Sequence, residues 1–181
     1  VDLKAALATK ITNTHTNNLS YTPDIWEASK ITDINPDNSN EVLLIYGYED
    51  GSDTDITNNR VAGINDNGSG SGLWNREHVY SNSLATPNLD DNSGNGPPYA
   101  DAHNLRTCNG QRNSSRGNRK FSDSSGTESG ETSESYTNSN GNNQNGWYPG
   151  DEWKGDVARM MMYMYLRYGD QTLPTNVGLG D

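Results

Sequence analysis

The residues whose types and spacing could do chemistry lie in the middle of the chain. A carboxylate stands beside a histidine at Glu77 and His78, and a carboxamide, Asn113, follows within a segment rich in arginine. Oxygen ligands can hold one hard metal ion, an imidazole can activate water near neutral pH, and guanidinium groups can bind phosphate. Together these groups are the parts needed to hydrolyse a phosphodiester, and the sequence favours this chemistry.

Glu77 and His78 are predicted to supply a metal ligand and a general base. Taken alone, a strand histidine is more often a half-buried residue satisfied by hydrogen bonds, and Glu77 has an alternative role as the ion-pair partner of Arg76 or Arg106. Adjacent side chains of a regular strand point to opposite faces. Both residues can therefore reach one site only if the strand is bent or bulged there, or if the ion lies to one side.

Three ordered motifs carry a resemblance to a known family. They read WNREHVY at residues 74–80, DAHNLR at 101–106 and NSSRGN at 113–118. In this order they make the chain resemble the bacterial endonuclease I family, secreted nucleases of the ββα-metal (His-metal finger) group, from roughly residue 3 to residue 168. A lone Glu-His pair would carry little weight, whereas three ordered motifs and a matching final helix make a chance match a poor explanation.

The resemblance implies a metal-dependent endonuclease that cleaves DNA, with RNA as a second substrate. The sequence shows no recognition helix, zinc finger or array of stacking aromatic residues, which predicts binding through phosphate-backbone contacts with little sequence specificity. His78 would be the general base, with its far ring nitrogen fixed by a backbone carbonyl of the neighbouring strand. Glu77 and Asn113 would hold one Mg²⁺, with Mn²⁺ or Ca²⁺ as alternatives, and the products would carry 5′-phosphate ends. Asn104 is the competing amide ligand.

A run of cationic residues predicts the phosphate-binding site. Five cations and no acid lie from Arg106 to Lys120, a local charge of +5 in a chain of net charge −11. Such a strip on an acidic body suits phosphate binding at one place, although a solvated loop with a chance cluster of arginines is the alternative. Arg116 or Arg106 is expected to hold the scissile phosphate. The other predicted substrate contacts are Arg76, Arg112, Arg119 and Lys120.

Length and composition predict one α+β domain with a thin core. The chain has 181 residues, of which 30% are hydrophobic, below the usual share. Cys108 is the only cysteine, so neither an internal disulfide nor a thiolate zinc site can form within one chain. No apolar run is long enough to span a membrane. We expect a monomer that is secreted or periplasmic, in a mature form whose export signal has been removed.

The elements that position the site are predicted from periodicity and turn residues. A single domain, residues 1–181, is expected to have a ββα-metal finger core with flanking helices and long loops. The core motif spans about 73–121, with strands at 73–80 and 101–106, a long intervening loop and a helix at 111–119. The intervening loop is predicted over residues 81–100.

The flanking segments show simpler patterns. The spacing of Leu3, Ala6, Leu7 and Ile11 predicts a helix with one buried stripe, and residues 42–48 read as a buried strand. Residues 122–146 are rich in Ser, Asn and Gly, which predicts a mobile surface loop. A helix over about 151–168 carries a methionine stripe that is expected to be core and ends at Gly169.

Two rival functions remain open at the level of the sequence. One is a noncatalytic, secreted binding module stabilised by calcium, although the acidic segment 50–55 lacks the EF-hand order of ligands and is read as a polar loop. The other is a glycosidase with Glu152 and Asp156 as its two carboxylates. Both acids open the final helix, where acids are stabilising anyway, and Glu152 is also a candidate to contact a metal-bound water.

Overall fold

The centre of the fold is an antiparallel strand pair followed directly by a helix. The computed structural model describes residues 2–90 and 95–180, and in it β4 (Trp74–His78) pairs with β5 (Leu105–Asn109), which leads into α3 (Gly110–Arg116). The Asn109 side chain caps α3 by accepting hydrogen bonds from its first backbone N–H groups. Gly117, with φ of 54°, ends the helix. This is the ββα order predicted from the motifs.

The other elements flank this unit, and the predicted α+β class is confirmed. The helices are α1 (Leu3–Thr14), α2 (Asp24–Thr32), α4 (Lys154–Tyr168) and α5 (Pro174–Val177). The strands are β1 (Ile34–Asn35), β2 (Asn38–Leu43), β3 (Val61–Gly63), β6 (Gly130–Thr137) and β7 (Asn143–Tyr148). They form a β1-β2-β3 sheet and a β6-β7 hairpin, both antiparallel.

Two predicted segments differ from the structure around the central unit. The second strand begins at Leu105 rather than at 101, because Asp101 caps a short 3-10 turn over Ala102–Asn104 through the His103 N–H. The loop predicted over 81–100 contains a 3-10 turn at Asn82–Leu84, and its residues 91–94 lie outside the described residues.

The prediction of a loop over residues 122–146 is wrong, because β6 and β7 form a hairpin there. The hairpin is anchored through its C-terminal end: the Ser122 N–H donates to the carbonyl of Trp147, and the Trp147 N–H donates to the carbonyl of Lys120. Trp147 and Tyr148 are buried, whereas β6 is mostly exposed. Cross-strand pairing and two anchored aromatics therefore order a segment whose composition resembles that of a loop.

The periodicity of apolar residues predicted both terminal helices, but it predicted the buried face correctly only for the final one. The predicted final helix is confirmed as α4, with its buried residues at helical spacing and Gly169 at its end. The helix predicted from Leu3 is confirmed as α1, but none of its residues is buried, and Leu3 remains 70% exposed. The predicted strand 42–48 overlaps β2 only at its first two residues, although residues 44–47 are buried.

The main hydrophobic core fixes the central unit against α4. It contains residues from the segment after β2, from the turn after β4, from β5 and from the hairpin. Its largest members are Tyr46, Tyr80, Trp147, Trp153 and Met164. Because this core includes Val79 and Tyr80, it holds the chain immediately after Glu77 and His78. No helix among the described residues is long and apolar enough to cross a membrane.

Candidate active site

A cavity of about 310 Å³ lies where β4 ends beside α3. Four of the residues predicted from the motifs border it, namely Arg76, Glu77, His78 and Asn113. The rest of its lining comes from Ser81, Asn82, Ser83, Gly117 and Asn118. The other predicted site residues, which are Asn104, Arg106, Arg112, Arg116, Arg119, Lys120 and Glu152, do not line this cavity.

His78 is held as a neutral imidazole with one defined tautomer. Its Nε2 lies 2.8 Å from the carbonyl oxygen of Tyr99, and because a carbonyl can only accept, Nε2 carries the proton. Nδ1 is then the basic nitrogen. The ring stacks on Tyr21 at 5.5 Å and packs against the Tyr99 ring at 4.5 Å. Burial lowers the pKa of His78 to about 4, so the ring is neutral at neutral pH.

The carbonyl partner of His78 differs from the predicted one. It belongs to Tyr99, in the loop before the 3-10 turn, and not to the neighbouring strand β5. Sequence reasoning did not find Tyr99 because its contribution is a backbone carbonyl, which any residue type could provide.

One carboxylate oxygen of Glu77 accepts hydrogen bonds from other residues of the protein. Its Oε1 accepts hydrogen bonds from the Tyr46 hydroxyl at 3.0 Å and from Arg116 Nη1 at 2.9 Å. No hydrogen bond to Oε2 is found among the described residues, although the side chain lines the cavity and is only 3% exposed. Burial raises the pKa of Glu77, and the adjacent charge of Arg116 opposes that shift.

Arg116 holds the end of β4, where Glu77 and His78 both border the cavity. The guanidinium donates from Nη1 to the His78 carbonyl at 3.0 Å, as well as to Glu77, and from Nη2 to the Val79 carbonyl at 2.9 Å. The strand ends at His78, where these carbonyls turn toward one buried cation. Glu77 and His78 pair in regular register with Arg106 and Leu105, so the bulge considered from the sequence is not found, and both residues lie at the end of β4 where Arg116 holds the backbone.

The prediction that Arg116 contacts the scissile phosphate is contradicted by its burial. Its side chain is 0% exposed, and the terminal guanidinium nitrogens are already bonded to Glu77, His78 and Val79. Arg106 is likewise committed elsewhere, with Nε 2.6 Å from Oδ1 of Asp33. Neither arginine lines the cavity.

The structure distinguishes between the two asparagines that were candidates for the metal ligand. Asn113 donates through Nδ2 to Oδ1 of Asn75 at 2.7 Å, which leaves its own Oδ1 as the group that can serve a cation in the cavity. Asn104 is 0% exposed, and both ends of its amide bind the backbone of Tyr80, at 2.7 and 3.1 Å. The Asn104 amide therefore joins the ends of the two central strands and does not face the cavity.

The remaining cations of the predicted strip fasten neighbouring segments. Arg112 donates to the Thr57 carbonyl and to Ser129, each at 2.8 Å. Arg119 pairs with Glu131 at 2.6 Å, and Lys120 Nζ donates to the Thr175 carbonyl at 2.9 Å. A guanidinium has five donors in a planar fork, so it can join several loop carbonyls at once. The prediction of a free phosphate-binding strip is therefore wrong for most of its members.

Arg76 is the predicted cation that does border the cavity. Its guanidinium lies 3.6 Å from the ring centre of Tyr21 and 4.0 Å from that of Trp26, and it also donates to Thr22 Oγ1 at 2.9 Å. Stacking on two aromatic rings fixes the position of the charge beside Glu77 and His78. Glu152, in contrast, forms an exposed ion pair with Arg60 at 2.7 Å and has no contact with the cavity.

A second cluster of potential metal ligands lies apart from this cavity. His15, Asp101 and His103 offer ligand atoms within 4.8 Å of one another. Arg167 occupies the same cluster, because it hydrogen-bonds His15 and lies 3.6 Å from the Asp101 carboxylate. A guanidinium in this position supplies the positive charge that a metal would otherwise bring, so the cluster does not fit a cation. It borders a cavity that shares no lining residue with the one around His78.

Comparison with known proteins places the chain in a family. The model of the Endonuclease I family matches residues 1–179, so the chain belongs to this family, and the resemblance of the three motifs is confirmed. An extracellular ribonuclease of Bacillus subtilis (strain 168) is 42% identical over 159 residues, covering 86% of this chain and 46% of the relative. An extracellular ribonuclease of Bacillus amyloliquefaciens is 40% identical over 168 residues, covering 92% of this chain and 49% of the relative.

The chain thus spans about half the length of these curated relatives. No solved structure matches it significantly.

Proposed function

We propose that the chain is a metal-dependent endonuclease that hydrolyses phosphodiester bonds of RNA and DNA with little sequence specificity. The observation that carries the proposal is one cavity bordered by a neutral histidine and by two side chains that can offer oxygen atoms, Glu77 and Asn113. The relatives named ribonucleases support RNA as a substrate, and their description as extracellular supports secretion.

The donor set fits a hard divalent cation. Glu77 and Asn113 would hold Mg²⁺, with Mn²⁺ or Ca²⁺ as alternatives, because carboxylate and amide oxygens are the ligands such ions prefer. When bound, the ion would neutralise charge on the phosphate oxygens. Tyr46 and Arg116 bind Oε1 of Glu77, and Oε2 would then be the oxygen that binds the ion.

The proton transfer would be performed by His78. Its Nδ1 accepts a proton from the attacking water, and the Tyr99 carbonyl keeps the proton on Nε2 so that Nδ1 is basic. Arg76, fixed between Tyr21 and Trp26, would place a positive charge beside the phosphate. Attack of water on phosphorus would break the bond to the 3′ oxygen, which would take up a proton from solvent, and the products would have 5′-phosphate and 3′-hydroxyl ends.

The first experiment is cleavage of a closed circular plasmid and of a single-stranded RNA by the purified chain. We expect cleavage in Mg²⁺, loss of cleavage in EDTA and recovery on adding excess Mg²⁺. The products should accept a 5′ label from polynucleotide kinase only after phosphatase treatment. Cleavage that persists in EDTA, or no cleavage in Mg²⁺, Mn²⁺ or Ca²⁺, would contradict the proposal.

The glycosidase alternative has no support from the geometry. Glu152 pairs with Arg60, and Asp156 pairs with Arg159 on the same helix, so both carboxylates are held by arginines on an exposed surface. Neither lines the cavity around His78.

A further inference from the structure

The cavity around His78 is adjacent to a second cavity beneath the β6–β7 hairpin. Ser83 and Asn118 border both, and the Asn118 amide donates to Ser83 Oγ at 3.2 Å where the two meet. We call the second cavity, of about 240 Å³, the hairpin groove. Its lining consists of Ser83, Leu84, Thr86, Asn118, Lys120, Tyr136, Thr137, Asn138, Ser139, Gln144 and Asn176.

None of the described residues that line the hairpin groove is acidic, although the chain has 24 acidic residues. Across both cavities Glu77 is the single acid among the described lining residues. Lys120 is the cation of the groove, and its Nζ donates to the Thr175 carbonyl at 2.9 Å while an ammonium group has three donors in all. A strongly acidic protein thus has two adjacent cavities whose described linings include a single acid, with Asp90 as a further acid whose charge acts on His78 and Tyr99.

The groove also offers a fixed aromatic ring. The Tyr136 hydroxyl accepts a hydrogen bond from the Lys120 N–H at 3.1 Å and lies 3.1 Å from Gln144 Oε1, so the ring is tethered at its polar end. A ring that is already held loses little conformational freedom when a base stacks on it. The side-chain amides of Asn118, Asn138, Gln144 and Asn176 surround it with donors and acceptors.

We propose that the hairpin groove binds the unpaired nucleotide next to the scissile phosphate, and that the protein therefore prefers single-stranded nucleic acid. A base in a duplex is paired on its edge and stacked on both faces, so it cannot reach Tyr136 or the amides without leaving the helix. Stacking on a ring accepts every base, which agrees with weak sequence specificity. The inference rests on the proposed function, since the scissile phosphate defines the position of the groove.

The test measures binding in a His78→Ala background, so that substrate is not consumed. Fluorescence anisotropy with an eight-nucleotide single-stranded RNA, and with the same sequence in a duplex, gives the two affinities. We expect tighter binding of the single strand and a loss of roughly tenfold for Tyr136→Ala, as stacking on one ring implies. Tyr136→Phe, which retains the ring, should change affinity less than about threefold. Tyr165→Ala is the matched control, because Tyr165 lines neither cavity.

A second pair of variants tests the charge of the groove without removing the ring. Gln144→Glu introduces a carboxylate into the groove and should weaken single-strand binding several-fold at low salt. Gln111→Glu makes the same change of net charge on α3, outside both cavities, and should have little effect. Equal affinities for single strand and duplex, equal losses in Tyr136→Phe and Tyr136→Ala, or equal effects of the two Glu variants would overturn the inference.

Hydrolysis of bis(p-nitrophenyl) phosphate separates this inference from the proposed function. That diester has no base, so its Mg²⁺-dependent hydrolysis reports the His78 cavity alone. A chain that hydrolyses it but binds duplex and single strand equally has the proposed function without the groove specificity. A chain that binds single strands yet hydrolyses neither the diester nor RNA lacks the proposed function.

Discussion

Two regions of the molecule contain nearly the same set of chemical groups and differ in where the arginine lies. Around His78 there are a buried carboxylate, tyrosine rings and Arg116. The guanidinium of Arg116 binds Glu77 but does not line the cavity, whereas Glu77 does. Around His103, Asp101 and two tyrosines are joined by Arg167, which lies among the would-be ligands. The comparison teaches that the side from which an arginine approaches a carboxylate decides whether a metal site remains.

The same comparison explains the opposite behaviour of the two histidines. His78 has a carbonyl partner and is enclosed by rings, and burial lowers its pKa. His103 has a carboxylate partner at 3.1 Å, and this hydrogen bond raises its pKa. The first environment keeps the imidazole neutral, which is the form that can accept a proton, whereas the second favours the protonated form.

The largest expected effect comes from removing each histidine. His78→Ala should lower the rate of RNA and plasmid cleavage by about 10² to 10⁴, the usual contribution of a general base, with substrate binding retained. His103→Ala should keep the rate within about twofold of the original. Initial rates at saturating Mg²⁺ measure both, and a His78→Ala variant with more than half the original rate would remove His78 from the mechanism.

The next effect concerns the two arginines. Arg116→Ala leaves Glu77 buried beside Tyr46 alone, and breaking such a buried pair costs about 3 to 5 kcal/mol of unfolding free energy. Arg167→Ala should cost less, about 1 to 3 kcal/mol, because Asp101 keeps hydrogen bonds from His103, Tyr163 and Tyr168. Urea unfolding of both variants gives the order, and the reverse order would contradict the comparison.

Metal affinity should respond to one region only. Glu77→Gln and Asn113→Ala should each weaken Mg²⁺ binding in calorimetric titrations, and raised Mg²⁺ should recover part of the activity, since one ligand is removed and others stay. His15→Ala should leave the affinity unchanged, because Arg167 already fills that cluster. Unchanged affinity in both Glu77→Gln and Asn113→Ala would contradict the ligand assignment.

The smallest expected effect is on the pH dependence of stability. Burial alone would raise the pKa of Asp101, but hydrogen bonds from His103 and Tyr168 lower it to about 2. The ionised Asp101 therefore contributes fully to stability above the unfolded pKa of about 4, and this contribution is lost as pH falls toward 2. The raised pKa of His103 acts in the other direction: its contribution is complete below about 6.5 and is lost as pH rises through the folded-state value.

The variant His103→Gln isolates the second of these contributions. It should be less stable than the original protein at pH 5.5, and the difference should shrink by pH 9. The His103 side chain is largely exposed, so solvent screening keeps the effect small. Urea midpoints at the two pH values measure it, and a difference that grows with pH would show that the sign is wrong.

The sequence was sufficient to predict the site residues whose side-chain chemistry is specific. Glu77, His78 and Asn113 were predicted from ordered motifs, and the structure brings them to one cavity. It was insufficient for Arg106 and Arg116, because a sequence gives the charge of an arginine but not the carbonyls and carboxylates that it will meet after folding. Long-range partners of this kind are set by tertiary packing.

The hairpin shows a different limit. Its strands are mostly polar, so neither alternation nor hydrophobicity marked them, and the anchoring residues Trp147 and Tyr148 lie at its far end. The α2 helix was missed as well, since its buried residues are only Ile25 and Ser29. Elements with few buried apolar residues give little periodic signal, whatever their role in the folded molecule.

The pairing of Glu77 with Arg116 also bears on how the protein would respond to changing surroundings. Because the carboxylate has a counter-ion that is built into the chain, the cost of burying it is met during folding and does not depend on an external ion. The scaffold and the ion are then separable parts. In the proposed nuclease, a chelator would remove the ion without unfolding the chain, and activity would return when the ion is supplied again.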